Sequence, residues 1–237
     1  MRRRFIDRRV VLTSVAAIVA LAGAFARAAE PPDTIGQRMQ PCMACHGPQG
    51  RATAQGYFPR IAGKPALYLY NQLVAFRDGR RSNPTMAYFV DLMSDDYLRE
   101  IARYFSSLDV PYAPPRGASA TPAQLARGEA LARHGDRALG VPACVQCHGA
   151  ALTGALPAIP VVIGLPREYL QLQFGSWRVG VRRALAPDCM SQIVMRLAPQ
   201  DLNDVAAWLA SQPVPPDAAP LAQPARPLPL PCGSDPP

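Results

Sequence analysis

The chain has 237 residues, 49% of them hydrophobic and 18% charged, a balance that excludes a disordered chain and a polytopic membrane protein. Its formal net charge of +8 invites a nucleic-acid or membrane-surface reading. Residues 1–28 hold six Arg and one Asp, however, so the remainder carries only +3 and that reading loses its support.

The first element is "MRRRFIDRR" followed by the apolar run of residues 10–26 and the small residues Ala26 and Ala28. A basic stretch, an apolar stretch and an A-x-A site together predict an export signal over residues 1–28, cut after Ala28 or Ala29. The rival is an uncleaved anchor, because 17 apolar residues approach the length that spans a bilayer. Either way the remainder faces the oxidising periplasm, and membrane contact is limited to that anchor or to partners.

Next comes "PCMACHG" at 41–47, and the pattern returns as "PACVQCHG" at 142–149. Two Cys-x-x-Cys-His motifs in an exported chain predict covalent haem. Cys42 and Cys45, and again Cys144 and Cys147, add across the vinyl groups of a porphyrin, which places His46 and His148 at the iron. Zinc is disfavoured because a His directly after the second Cys points awkwardly for a tetrahedron. A thioredoxin-like redox pair needs a preceding strand pattern, and none is present.

The stretch 62–81 aligns with 163–183 at an offset of 101, pairing Gly63/Gly164, Pro65/Pro166, Tyr68/Tyr169, Gln72/Gln173, Phe76/Trp177, Arg77/Arg178 and Gly79/Gly180. The chain therefore holds two copies of one small domain. Apolar residues at i, i+4, i+7 predict a helix in each copy, with Pro65 and Pro166 in its first turn and Gly79 and Gly180 closing it in a left-handed conformation.

Methionine completes a low-spin haem site, and the repeat chooses which. Met86 lies seven residues before Met93 of "MSDDYLREIARYF", and Met190 lies seven before Leu197 of "LAPQDLNDVAAWL". The spacings from His46 to Met86 and from His148 to Met190 are 40 and 42 residues, so Met86 and Met190 are the expected axial ligands. The last helix of each copy falls in those two stretches. Met39, Met43, Met93 and Met195 read as packing.

Between the copies, "DVPYAPPRGAS" at 109–119 is a Pro-rich linker, and the helix "TPAQLARGEALAR" opens the second copy. The only histidine outside the motifs, His134, reads as a surface residue just past that helix. Residues 211–237 hold ten prolines and cannot be helical; they are expected to run extended on the surface or hang free. Cys189 and Cys232 remain once the thioether cysteines are used. An even remainder in an oxidising compartment suggests a disulfide pinning the tail beside Met190, with Cys189 as a thiolate iron ligand the alternative.

These motifs, with "YxxxQLxxFRxGxR", a Met and a "LSDxDLxxIAxYF"-type last helix, resemble the dihaem cytochrome c4 group of class I cytochromes c over nearly all of residues 31–212. The resemblance implies an all-α fold of two tandem class I domains (31–108 and 120–212, with tail 213–237), two haem c groups and a periplasmic electron carrier. It further implies that the Pro59 and Pro160 carbonyls hold His46 and His148, and that Tyr68, Tyr169, Arg77 and Arg178 are candidates to contact haem propionates, with packing or a solvated charge the alternative for each.

The implied partners are redox proteins: a quinol:cytochrome c reductase or dehydrogenase as donor and a terminal oxidase or reductase as acceptor, with no nucleic acid. Two further readings stay open. The chain could be a dedicated cytochrome subunit of a larger dehydrogenase that uses the tail to dock. It could also be an enzyme, thiosulfate-oxidising through Cys189 ligation or peroxidase-like.

Overall fold

The computed structural model describes residues 33–53, 57–115, 119–224 and 227–235; the predicted export signal lies outside them, as does part of the linker. Among the described residues the fold is helical, with extended pairing limited to isolated bridges, and no helix is long and apolar enough to cross a membrane.

The first domain contains α1 (Ile35–Arg38), α2 (Gln40–His46), α3 (Ala66–Arg77), α4 (Pro84–Val90) and α5 (Asp95–Ser106). The second contains α6 (Pro122–His134), α7 (Val145–His148), α8 (Arg167–Arg178), α9 (Cys189–Arg196) and α10 (Pro199–Ser211). Helices α3 and α8 begin and end at the same offset of 101 that the repeat carries. Each starts one residue after its proline: Pro65 and Pro166 are extended caps (ψ of 135° and 139°), not members of the first turn. Gly79 and Gly180 do close them at φ of +70° and +74°, a region that costs a residue with a Cβ.

Local chemistry sets the other helix ends. Ser94 caps α5 by accepting from the Tyr97 amide, and Thr121 and Gln124 form a reciprocal capping box at α6, each stabilising the first turn. His134 is the last residue of α6 and is exposed, so the helix runs one residue further than its apolar pattern reached.

Two cores result. Met39, Leu69, Val90, Leu98, Ile101 and Phe105 pack in the first domain. Leu131, Val161, Tyr169, Leu170, Val194 and Trp208 belong to a larger cluster in the second. The terminal helices α6 and α10 cross closely at Gly128, where a Cβ would stand 2.2 Å from the Asp204 carbonyl oxygen.

The domains meet through their equivalent arginines. Arg81 and Arg182 form an antiparallel bridge, flanked by Ser82 N donating to Val181 O (2.8 Å) and Arg183 N to Arg80 O (2.7 Å). Each guanidinium then reaches both glutamines of the repeat. Arg81 donates to Gln72 (2.9 Å) and Gln173 (2.8 Å), and Arg182 to Gln173 (2.6 Å) and Gln72 (3.1 Å).

Candidate functional site

Each histidine is held by the turn that follows it. After His46 the chain reverses at Gly47 (φ +78°), and Ala52 N donates back to His46 O (2.8 Å); a Cβ at Gly47 would collide with the Ala52 carbonyl oxygen at 2.3 Å. After His148 the same occurs at Gly149 (φ +82°), with Gly154 N donating to His148 O (2.9 Å). His46 Nδ1 lies 2.9 Å from the Pro59 carbonyl oxygen and His148 Nδ1 lies 2.8 Å from that of Pro160. A carbonyl only accepts, so Nδ1 carries the proton and Nε2 keeps its lone pair for a metal. Burial lowers both imidazole pKa values below the ordinary 6.5, which favours the neutral, ligating form.

Each domain also carries a methionine helix, and in the second Met190 lines the same cavity as His148. Met86 is half-buried in α4, its amide held by the Asn83 side chain (3.0 Å). Met190 is half-buried in α9, capped by Asp188, whose carboxylate accepts from Ser191 N (3.0 Å), Ala184 N (2.6 Å) and Trp177 Nε1 (3.2 Å). In the second domain Cys144, Cys147, His148, Pro160, Tyr169 and Met190 line one cavity whose other walls are mostly apolar. In the first, Cys42, Tyr68 and Met86 pack against one core cluster.

The four motif cysteines are not disulfide-bonded, whereas Cys189 and Cys232 are. Burial raises the Cys42 and Cys147 thiols and takes Cys144 up to about 11. Such thiols stay protonated at neutral pH and are poor thiolate ligands, which suits thioether formation better than metal binding by sulfur. Among the described residues no group of three or more His, Cys, Asp or Glu could hold a metal ion. The Cys189 sulfur, bonded to Cys232, is not available as a thiolate.

The predicted aromatic and arginine residues divide. Tyr68 and Tyr169 line the cavity at the domain junction, but Arg77 and Arg178 do not. Arg77 donates to the Met93 carbonyl (3.1 Å) and pairs with Asp95 (2.7 Å), and Arg178 donates to the carbonyls of Val194 (3.3 Å) and Leu197 (2.9 Å). Met93 and Leu197 are the register-equivalent residues after the two methionine helices. Both arginines therefore fasten the end of a methionine helix, a need of the local backbone that motif matching does not reveal.

Sequence reasoning passed over the residues that take the junction instead. Arg182, Lys64 and Gln173 are buried there with Tyr68. Burial pushes the Lys64 ammonium down to about 8, against the opposing pull of Tyr68. Burial would raise the Tyr68 phenol, but Arg182, Lys64 and Arg81 outweigh it and lower its pKa. The signal for Arg182 was present in the repeat, as "RDGRR" at 77–81 and "RVGVRR" at 178–183, and Gln173 stood there paired with Gln72.

These features fit haem c. Each domain offers a Cys pair outside any disulfide, next to a histidine whose Nδ1 is held by a carbonyl, and a half-buried methionine, and the two domains share a cationic junction suited to carboxylates. No family model matches the sequence. The chain is 36% identical over 219 residues to a protein named thiosulfate dehydrogenase electron acceptor from Thiomonas intermedia (strain K12), covering 90% of this chain and 96% of that one. It is 32% identical to cytochrome c4 of Pseudomonas aeruginosa, over 71% of this chain and 82% of the other.

Among solved structures, reduced recombinant cytochrome c4 from Pseudomonas stutzeri superposes with a TM-score of 0.63 at 29% identity, over 74% of this chain and 95% of that one. The thiosulfate dehydrogenase TsdBA of Marichromatium purpuratum gives 0.65 at 32% identity; the match covers 73% of this chain but only 36% of that longer one. The chain belongs to the cytochrome c4 family, and is a dihaem, electron-carrying c-type cytochrome with two haem c groups.

Proposed function

We propose that this protein is a periplasmic one-electron acceptor for a dehydrogenase of reduced sulfur compounds, passing the electrons to a respiratory acceptor. What carries the reading is the match to the Thiomonas electron acceptor along nearly the full length of both chains. Bound haem supplies reversible one-electron exchange at iron. In this reading Cys42, Cys45, Cys144 and Cys147 hold the two groups covalently. His46 with Met86, and His148 with Met190, ligate the irons, and Pro59 and Pro160 fix the histidine tautomers.

With a histidine and a methionine assigned to each iron, the chain offers no open ligand position to a substrate, and catalysis is left to the partner enzyme. Tyr68, Tyr169, Lys64, Arg81 and Arg182 gather at the junction and would supply the hydrogen bonds and positive charge that haem carboxylates need. The two units run over residues 31–108 and 120–212, joined by 109–119. The periplasmic setting accords with the Cys189–Cys232 disulfide, since such bonds persist in oxidising compartments.

The test combines spectroscopy with a partner assay. The ferric protein is expected to show two low-spin haems, with one methionine signature lost in Met86→Ala and the other in Met190→Ala. Reduced-sulfur substrate plus its dehydrogenase is expected to reduce both haems, and substrate alone neither. Reduction by thiosulfate without the dehydrogenase would make the chain an enzyme, and no reduction with it would remove the sulfur-compound assignment.

A further inference from the structure

We propose that the C-terminal tail is a shield that closes the haem crevice of the second domain to external redox partners, so that electrons enter and leave through the first domain. The proposal rests on the reading of both motif pockets as haem sites.

The tail is anchored on both sides of that crevice. On the histidine side, Leu221 N donates to Gly154 O (2.9 Å) and Leu156 N donates to Leu221 O (2.8 Å), within the loop that follows His148. Gly149, directly after His148, is pressed against Leu221, where a Cβ would come within 2.8 Å of its Cδ1. On the methionine side, Cys232 is bonded to Cys189, the residue before Met190. Gly233 N donates to Pro187 O (2.9 Å), and Gly233 has no room for a Cβ, which would meet the Ala186 carbonyl oxygen at 2.1 Å.

Between these anchors, Leu228 and Leu230 line the same cavity as Cys147, His148 and Met190. Beyond them, Ser234 O accepts from Asn71 Nδ2 of α3 (3.1 Å), and Asp235 is buried, which carries the cover onto the first domain. The described residues of the tail thus pass from the histidine side at Leu221 to the methionine side at Cys232, with Leu228 and Leu230 lining the cavity on the way. Proline favours such a passage because it holds an extended chain at low entropic cost.

Among the described residues the first domain has no equivalent. Thr85, not a cysteine, precedes Met86, and Tyr88 and Leu92 beyond it are 83% and 97% exposed. The chain leaves that domain by Val110 and Pro111, whose carbonyls accept from Arg60, and passes to the neighbouring domain, where Tyr112 packs. Electron transfer weakens steeply with distance, so an added layer of chain over one haem directs exchange to the other.

The experiment uses the holoprotein, ferric for the optical and EPR spectra and for the reduction kinetics, and ferrous, where low-spin haem is diamagnetic, for NMR. Optical and EPR spectra first establish two methionine-ligated low-spin haems; their absence would remove the haem reading itself, separately from the shield. A freely diffusing gadolinium chelate is then added, and broadening of the methyl resonances of each haem and its methionine is recorded by NMR.

In the full chain the second haem's signals are expected to broaden several-fold less than the first's. In a chain ending at Pro216, and in the full-length double variant Cys189→Ser with Cys232→Ser should the shorter chain fail to fold, the second haem's signals are expected to rise towards the first's. Reduction by hexaammineruthenium(II) is expected to quicken in the same variants. Equal broadening of both haems in the full chain, or protection that persists once the tail is removed or unpinned, overturns the proposal.

Discussion

Protonation of His46 and His148 sets an acid limit. Burial lowers both pKa values, with the Pro59 and Pro160 carbonyls opposing, so the folded state disfavours the charged imidazole relative to the unfolded chain. For a base whose folded pKa is depressed, the penalty is complete below the folded value, shrinks as pH rises and vanishes above the unfolded value. Stability should therefore fall as pH drops through 6.5 and below. Melting temperatures followed downward from about pH 7 are expected to decline together with the low-spin spectrum. Asp188 is the other decisive residue, because one carboxylate satisfies two backbone amides and the Trp177 indole. Asp188→Ala is expected to cost about 1–3 kcal/mol in urea unfolding and to disturb the spectrum of the Met190-side haem alone, with Asp188→Asn milder.

At the scale of elements, the contact of α6 with α10 is the tightest constraint. Gly128 has the Asp204 carbonyl oxygen 2.2 Å and the Trp208 Cβ 2.8 Å from where its own Cβ would stand. Backbone cannot swing aside as a long side chain can, so Gly128→Ala should cost about 3 kcal/mol, at the upper end of ordinary overpacking. Urea unfolding is the measure, and a cost near zero would show that the helices can part freely. The helical periodicity of α5, α6 and α8 was readable because each buries one stripe, such as Leu98, Ile101, Ala102 and Phe105 in α5, whereas α10 is buried all round over residues 205–210. The short α2, α7 and α4 were not readable, since four to seven residues cannot display a period; there the Cys-x-x-Cys-His motifs and the methionine register did the placing.

For the whole molecule, the question is what keeps two domains as one unit. Gln72 and Gln173 each accept from both junction arginines, Arg81 and Arg182, so their loss strands two guanidinium groups in a largely buried seam. The double variant Gln72→Leu with Gln173→Leu is expected to weaken the junction by at least about 3 kcal/mol, because buried charges lose their acceptors. Calorimetry of the holoprotein should then resolve two transitions in place of one. A single unchanged transition would mean that the β-bridge and haem contacts suffice without the glutamines.

By itself the sequence determined the chemistry that is local or repeated. The Cys-x-x-Cys-His spacing points to thioether haem within one helical turn, and the offset of 101 shows two copies of one unit. What required tertiary structure were the pairings between residues distant in the chain. Arg77 and Arg178 donate to backbone carbonyls 16 to 19 residues away, while Arg81 and Arg182 take the seam. The tail lies against the second crevice because Cys232 finds Cys189 across 43 residues. Periodicity and motif spacing report which face a residue presents, but a pairing is fixed only when the folded backbone decides which buried donor meets which acceptor.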